Sequence, residues 1–410
     1  MAEIKVDVEP GEVGFDAGRL GRLDPHYRRY VDEGRLAGWT LAVSRHGRVA
    51  HLSHHGRRDL EADLSVTDDT LWRIYSMTKP VTSVAAMMLY EQGVLELMDP
   101  VSRWIPSFAD VRVYRGGAAP NPSTVPAVEP VRVWHLLTHT SGLTYGFHHA
   151  HAVDEMYRQR GYEFTPPPGV DLAAACDTFA ELPLLFQPGT EWNYSVSTDV
   201  LGRVVEVASG QSLDAFFAEH ILGPLGMDQT AWSVDPSDAD RLASLYTAGP
   251  DGALVRNRSL GDRTLRPPEL LAGGAGLVST AGDYHRFTRM LLQGGELDGV
   301  RLLGPRTVAY MTRNHLPDGA DLETIGRPNF AESSFRGVGF GLGFSTVADA
   351  AAGKVLTSEG EYAWGGMAST AFYVDPATGV IALFFTQFMP SSAFPIRSRL
   401  RTLVNQALVD

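Results

Sequence analysis

Between Met77 and Gln92 the chain carries Val81, Val84, Ala85, Met87, Met88 and Leu89, which would lie around most of the circumference of a helix, with Gly93 placed as its cap. A helix that is apolar all round has no face to give to water and must be enclosed on every side. The fold therefore has to be large enough to wrap it. Pro80 is compatible with such a helix, since it falls in the first turn, where backbone N–H groups lack intrahelical partners. A chain of 410 residues with 44% hydrophobic and 20% charged residues can build that enclosure as an ordinary globular protein.

Patterning on either side of this helix divides the chain. A helix is expected over Ala17 to Glu33, followed by strands at Trp39 to Ser44 and Val49 to Ser53, joined at His46-Gly47 as a short hairpin. Residues 96–294 read as mainly helical, with candidates at Arg132 to Thr138, Asp171 to Ala180, Thr198 to Ala208, Leu213 to Ile221 and Ala281 to Leu292. Pro-rich connections run over Gly116 to Pro130 and Thr165 to Gly169. Strands are expected again at Gly339 to Ser345, Lys354 to Thr357, Ala368 to Val374 and Val380 to Phe388, before a last helix from Pro395 to Ala407. Strands at both ends with helices between them predict an α/β domain built from residues 1–95 and 295–410. A mainly helical domain, 96–294, is inserted in it, and the active site is expected at their interface.

The chemistry begins where the apolar helix begins. Ser76-Met77-Thr78-Lys79 places a hydroxyl and an amine three residues apart, on one helical face. A serine hydroxyl becomes a good nucleophile when an adjacent base takes its proton, and a lysine kept neutral by its surroundings is such a base. The chain uses arginine nearly everywhere, and Lys5, Lys79 and Lys354 are its only lysines. Arginine cannot give up its proton, so a lysine here suits proton transfer. With 26 serines and three lysines, chance alone gives about 0.2 such spacings, so context has to support the motif.

A third polar group usually carries the proton to the leaving atom. Tyr194, ahead of a helix, is the best downstream candidate; its structural alternative is a core tyrosine closing a loop. An oxyanion needs two fixed N–H donors, and the Ser76 N–H at a helix start is one. The other would come from an extended segment such as Trp364-Gly365-Gly366-Met367, which also reads as a bulge or turn opening a hairpin.

Other classes are disfavoured. A net charge of −13 repels nucleic acid and anionic lipid, and no stretch of about eighteen uncharged apolar residues is present, so neither nucleic acid nor membrane is an expected partner. Met1 to Pro10 lacks an apolar signal region and Cys176 is alone in an apolar helical setting, which fits a cytoplasmic protein. The clusters His51, His54, His55 and His148, His149, His151 match no metal motif and read as solvated or locally bonded, so neither metal nor cofactor is expected. No G-x-S-x-G pentapeptide occurs, and Ser141, in a helix end expected to be capped by Gly142, is a poor nucleophile beside a structural His139.

The chain resembles the serine β-lactamase and penicillin-binding-protein superfamily, and within it the family VIII carboxylesterases. The resemblance rests on Ser76-x-x-Lys79, Leu136 to Leu143, Phe186 to Thr190, Tyr194-Ser195, Pro224 to Thr230, Gly276 to Asp283 and Gly339 to Phe344, in that order over nearly the whole chain. It implies a β-lactamase-like antiparallel sheet flanked by helices. It also implies Ser76 as the acylated nucleophile, Lys79 and Tyr194 as acid/base partners, Trp364-Gly365-Gly366 as the third motif, and Met367 N–H as the second oxyanion donor. Two departures bear on substrate. Val196 stands where β-lactamases carry an asparagine, and Trp364 where they carry a cation. Each removes a polar handle for an anionic β-lactam, at about 1.5–3 kcal/mol for a charged hydrogen bond. A small uncharged, short-chain ester is the expected substrate, with Tyr145, Phe147, Trp192, Val196 and Trp364 as candidate pocket residues. Acyl transfer or weak β-lactamase activity at the same site is the alternative, and a catalytically silent binding module the alternative of another class.

Overall fold

The computed structural model describes residues 4–327 and 335–410. Strands β1 (Gly38–Arg45) and β2 (Arg48–Asp59) form a hairpin whose turn residues His46 and Gly47 have φ of +52° and +81°. Both values are of the kind that a tight two-residue hairpin turn demands. β3 (Leu64–Ser65) follows, and five strands come from the other end of the chain: β4 (Val338–Phe340), β5 (Ser345–Val347), β6 (Tyr362–Gly365), β7 (Ala371–Asp375) and β8 (Val380–Phe385). They assemble in the order β4-β5-β6-β7-β8-β1-β2-β3, every neighbour antiparallel. The sheet is thus closed by the pairing of β8 with β1, two segments more than 300 residues apart.

β1 and β8 are buried along their whole length, because both faces of the sheet are covered. Trp39, Leu41, Val43, Ala382 and Phe384 alternate toward one face, where α1 (Leu23–Asp32) and, at the chain's end, residues Ile396–Asn405 pack with Tyr27, Leu400 and Val404. Ile381, Leu383 and Phe385 point the other way, into the larger cluster that holds α2 (Thr78–Glu91). This two-sided alternation is the period-2 signature of a sandwiched strand. Every residue from Thr78 to Leu89 is buried, as an all-round apolar helix requires. Around α2 lie α3 (Val133–Thr138), α4 (Ser197–Ser209) and α5 (Ala281–Leu292), and α6 is the Ile396–Asn405 helix already placed against the sheet.

Several local expectations are corrected. Gly339 to Ser345 is two strands rather than one, turning at Gly343, whose φ is +98° and whose added Cβ would lie 2.1 Å from Ser83 Oγ on α2. Lys354 to Thr357 is not a strand; it follows the short helix Ala350–Gly353, with Lys354 itself left-handed. The expected helix over Ala17 to Glu33 is broken at Gly21-Arg22, and Leu213 to Ile221 relaxes into a wider turn after Phe217. The Gly116 to Pro130 connection carries a strand, Ser123–Pro126, paired with Arg112–Gly116. The helix before Ser141 is ended by His139 in the left-handed conformation (φ +56°), not by Gly142. Among the described residues no helix is long and apolar enough to cross a membrane, and no three His, Cys, Asp or Glu side chains converge as for a metal ion.

Candidate active site

The start of α2 is bolted to a distant segment, residues 273–279. Trp72–Arg73 pairs with Val278–Ser279, Ile74 N donates to Leu277 O (3.0 Å), and Leu277 N donates to Thr78 Oγ1 (3.1 Å). Tyr284 Oη holds Met77 O at 2.9 Å, and Thr82 Oγ1 holds Gly273 O at 2.6 Å. Within this frame Tyr75 has φ +44°, a left-handed conformation that costs an L residue about 1–2 kcal/mol. The single 3₁₀ turn Tyr75–Met77 presents Ser76, half-buried, at the wall of a cavity.

Lys79 is 1% exposed, and its Nζ has three partners: Gly274 O at 2.7 Å, Tyr145 Oη at 3.0 Å and Ser76 Oγ at 3.4 Å. A neutral amine has two N–H bonds and one lone pair. The Gly274 carbonyl can only accept, and the Tyr145 hydroxyl can accept, so whenever the amine gives up a proton these two can take its N–H bonds and leave the lone pair for Ser76. That is the arrangement a general base for Ser76 needs.

Two phenols flank the amine in different ways. Tyr194, expected to meet Lys79 through its hydroxyl, instead lays its ring beside Nζ (4.5 Å to the centroid), and its Oη accepts from Trp364 Nε1 at 3.3 Å. Tyr145, expected only as a pocket residue, is the phenol bonded to Lys79. Burial, together with the nearby Asp199 carboxylate, pushes the Tyr145 phenol well above its ordinary pKa, so it stays neutral. Phe147 stacks on Tyr145 at 4.5 Å and Val196 joins them on the cavity wall. Trp192 is different: it is 1% exposed and packs behind Tyr194 with Leu316, Leu322 and Phe340, so it supports the wall and is not part of it. His148 Nε2 donates to the Tyr194 carbonyl at 2.6 Å, and His139 lies against the Tyr194 ring; burial first of all keeps both imidazoles below their ordinary pKa.

Opposite Ser76, Trp364 and Gly365 end β6, and Gly366 and Met367 begin the turn to β7. An added Cβ on Gly366 would lie 2.6 Å from Ile74 O, and one on Gly365 would lie 2.5 Å from the Arg397 guanidinium. At Gly366 the protein's own backbone thus leaves no room for a side chain. Arg397, on α6, in turn donates to Gly366 O at 3.2 Å. Among the described residues neither Ser76 N–H nor Met367 N–H has a protein acceptor, which leaves both free as an oxyanion hole requires.

The cavity has a volume of about 890 Å³ and collects Ser76, Tyr145, Tyr194, Trp364 and Met367 on one wall system. It also exposes one edge of Asp199, a residue that sequence reasoning passed over. Its signal was a carboxylate in the first turn of α4, directly before the apolar Val200-Leu201 and five residues after Tyr194.

A half-buried serine, a buried lysine and two phenols meet at one cavity beside an antiparallel sheet, and the fold is that of a serine hydrolase of the β-lactamase-like class. The chain belongs to the Beta-lactamase family, whose model matches residues 23–406. An uncharacterized protein of Mycobacterium tuberculosis is 37% identical over 367 residues, 88% of each chain. Esterase EstB of Burkholderia gladioli is 31% identical over 405 residues, covering 92% of this chain and 93% of its own. Among solved structures, EstCE1, described as a hydrolase with promiscuous acyltransferase activity, superposes with a TM-score of 0.79 at 27% identity, over 96% of this chain and 99% of its own.

Proposed function

We propose that the protein is a carboxylesterase that forms an acyl-enzyme on Ser76 and takes uncharged esters, short-chain ones among them. The observation that carries this reading is Lys79 Nζ, held by Gly274 O and Tyr145 Oη and 3.4 Å from Ser76 Oγ, beside a cavity wall of Val196 and Trp364. Lys79 takes the Ser76 proton as the oxygen attacks the ester carbonyl. The oxyanion is met by Ser76 N–H and Met367 N–H, and Tyr194 with Lys79 returns the proton to the leaving alcohol. Water then repeats the sequence to release the acid. Tyr145, Phe147, Val196 and Trp364 contact the substrate, and residues 96–294 act as a helical unit closing over the sheet. The absence of a cationic third-motif residue at Trp364 and of an amide at Val196 favours a neutral ester over a β-lactam. A cytoplasmic setting belongs to the same reading, supported by the single buried Cys176.

Acyl transfer to a second alcohol is the competing outcome at this site. It is favoured by the cavity's volume, which is near the upper end of small-molecule pockets, and by the likeness to EstCE1. Turnover of p-nitrophenyl acetate and of a chromogenic cephalosporin, each by the native protein and by Ser76→Ala, tests the proposal. Faster ester turnover is expected, with at least about a 10³-fold loss in the variant. Full activity in Ser76→Ala, or faster cephalosporin turnover, would overturn it.

A further inference from the structure

Asp199 lies in the first turn of α4, 8% exposed, and its Oδ1 accepts from Gly274 N at 2.9 Å. The carbonyl of that same Gly274 accepts from Lys79 Nζ at 2.7 Å. One glycine thus joins carboxylate to amine through its own N–H and C=O. A side chain on it would not fit, since an added Cβ would lie 2.8 Å from Asp199 Oδ2. The glycine before it is equally confined: its carbonyl is held by Thr82 Oγ1, and an added Cβ would lie 2.7 Å from Thr198 O.

We propose that Asp199 is a positioning residue of the site, whose carboxylate fixes the Gly274 peptide under Lys79 and sets a negative charge beside the Lys79 amine. The inference rests on the reading of Lys79 as the base for Ser76. Burial pushes the Asp199 carboxyl up, and the Lys79 ammonium draws it back down, which is the behaviour of two charges that sense each other. The titratable groups nearest this pair are uncharged, and the charged ones, Asp154, Arg73 and, further along α4, Arg203 and Glu206, are engaged with other partners. Burial holds Tyr145 as phenol, His139 and His148 as imidazoles and Cys176 as thiol. Tyr194 turns its ring to the amine, and Asp154, beyond His148, is bonded to Thr144 Oγ1. Arg73 lies on the Ser76 side, with its guanidinium bound to the Ala243 and Gly261 carbonyls.

The sign of the effect follows. Neutralising residue 199 removes a charge that favours the ammonium, so Lys79 loses its proton at lower pH and becomes a weaker base. The rate at which a fluorophosphonate labels Ser76, measured against pH, reads this without any choice of ester. In Asp199→Asn, which keeps an oxygen for Gly274 N–H, the acid limb of the labelling profile is expected about one pH unit lower, with the plateau rate reduced about threefold. Asp199→Glu, which keeps the charge, is expected to retain the native limb. If Asp199→Asn fails to fold by thermal melting, Asp199→Ser, smaller and also neutral, gives the same reading. Superimposable limbs in native and neutral variants would overturn the proposal while leaving the esterase reading intact. Normal labelling without ester turnover would break the esterase reading and leave this one standing, and a native protein that is not labelled at all would overturn both.

Discussion

The two sides of the site are built by different means. Ser76 and Lys79 sit on one short stretch of backbone, their separation dictated by helical geometry and their position locked by hydrogen bonds to residues 273–279. The facing wall of Tyr145, Phe147, Tyr194 and Trp364 is gathered from a loop, a turn ahead of α4 and the end of a strand, and holds together by ring packing. One side is specified by chain connectivity and the other by tertiary packing. The nucleophile corner therefore tolerates little variation in backbone, whereas the wall can change its substrate contacts without disturbing the base.

The contrast is tested most severely by the two phenols. Tyr194→Phe removes the hydroxyl proposed to pass a proton to the leaving oxygen, and a loss of about 10²–10³-fold in kcat is expected. Tyr145→Phe removes a neutral partner of Lys79, and a loss of about tenfold is expected, the effect of one hydrogen bond. Steady-state kinetics on one ester ranks them, and the reverse order would transfer the proton-relay role to Tyr145.

Gly366→Ala probes the seam between the two sides. Its Cβ would press on Ile74 O, two residues before the nucleophile, and displace Met367 N–H from the oxyanion position. A fall of about tenfold in kcat with KM nearly unchanged is expected, since such donors act mainly in the transition state. An equal rise in KM would show instead that the wall, not the corner, had moved.

The smallest effect lies outside both regions. His285 on α5 is buried against Ser44 Oγ of β1 at 2.8 Å, and burial holds its pKa down at about 3. The unfolded chain takes up this proton near pH 6.5, so the stability it contributes is complete above that pH and is lost as pH falls toward 3. His285→Gln should move the midpoint of acid unfolding down by roughly half a pH unit without shifting the acid limb of activity near neutrality. A shift in both would mean that acid inactivation of the site is unfolding under another name.

Legibility in the sequence followed the range of the interaction. Ser76 and Lys79 were readable because three-residue spacing is local, and the β1–β2 hairpin because His46-Gly47 carries its own turn signal. The enclosed α2 was readable from composition alone. Strand β6 was not: four residues ending in glycine, Tyr362 to Gly365, present no alternation, and its pairing to β5 and β7 is what makes it a strand. The bond from Lys79 to Tyr145 crosses 66 positions, and the support from Asp199 reaches Lys79 only through Gly274. No periodicity encodes such contacts. Arg397 was hidden for the same reason, as a surface-like residue of the last helix that reaches back to Gly366.

The clamp between residues 72–78 and 273–279 makes the reactive centre depend on contacts between residues at least 199 positions apart. A chain that has not yet brought those stretches together, or has not docked β8 beside β1, holds Ser76 and its amine but neither the carbonyl that orients the lysine nor the strand end that faces it. Reactivity at this one hydroxyl is thus a sensitive gauge of whether the whole molecule has reached its native topology.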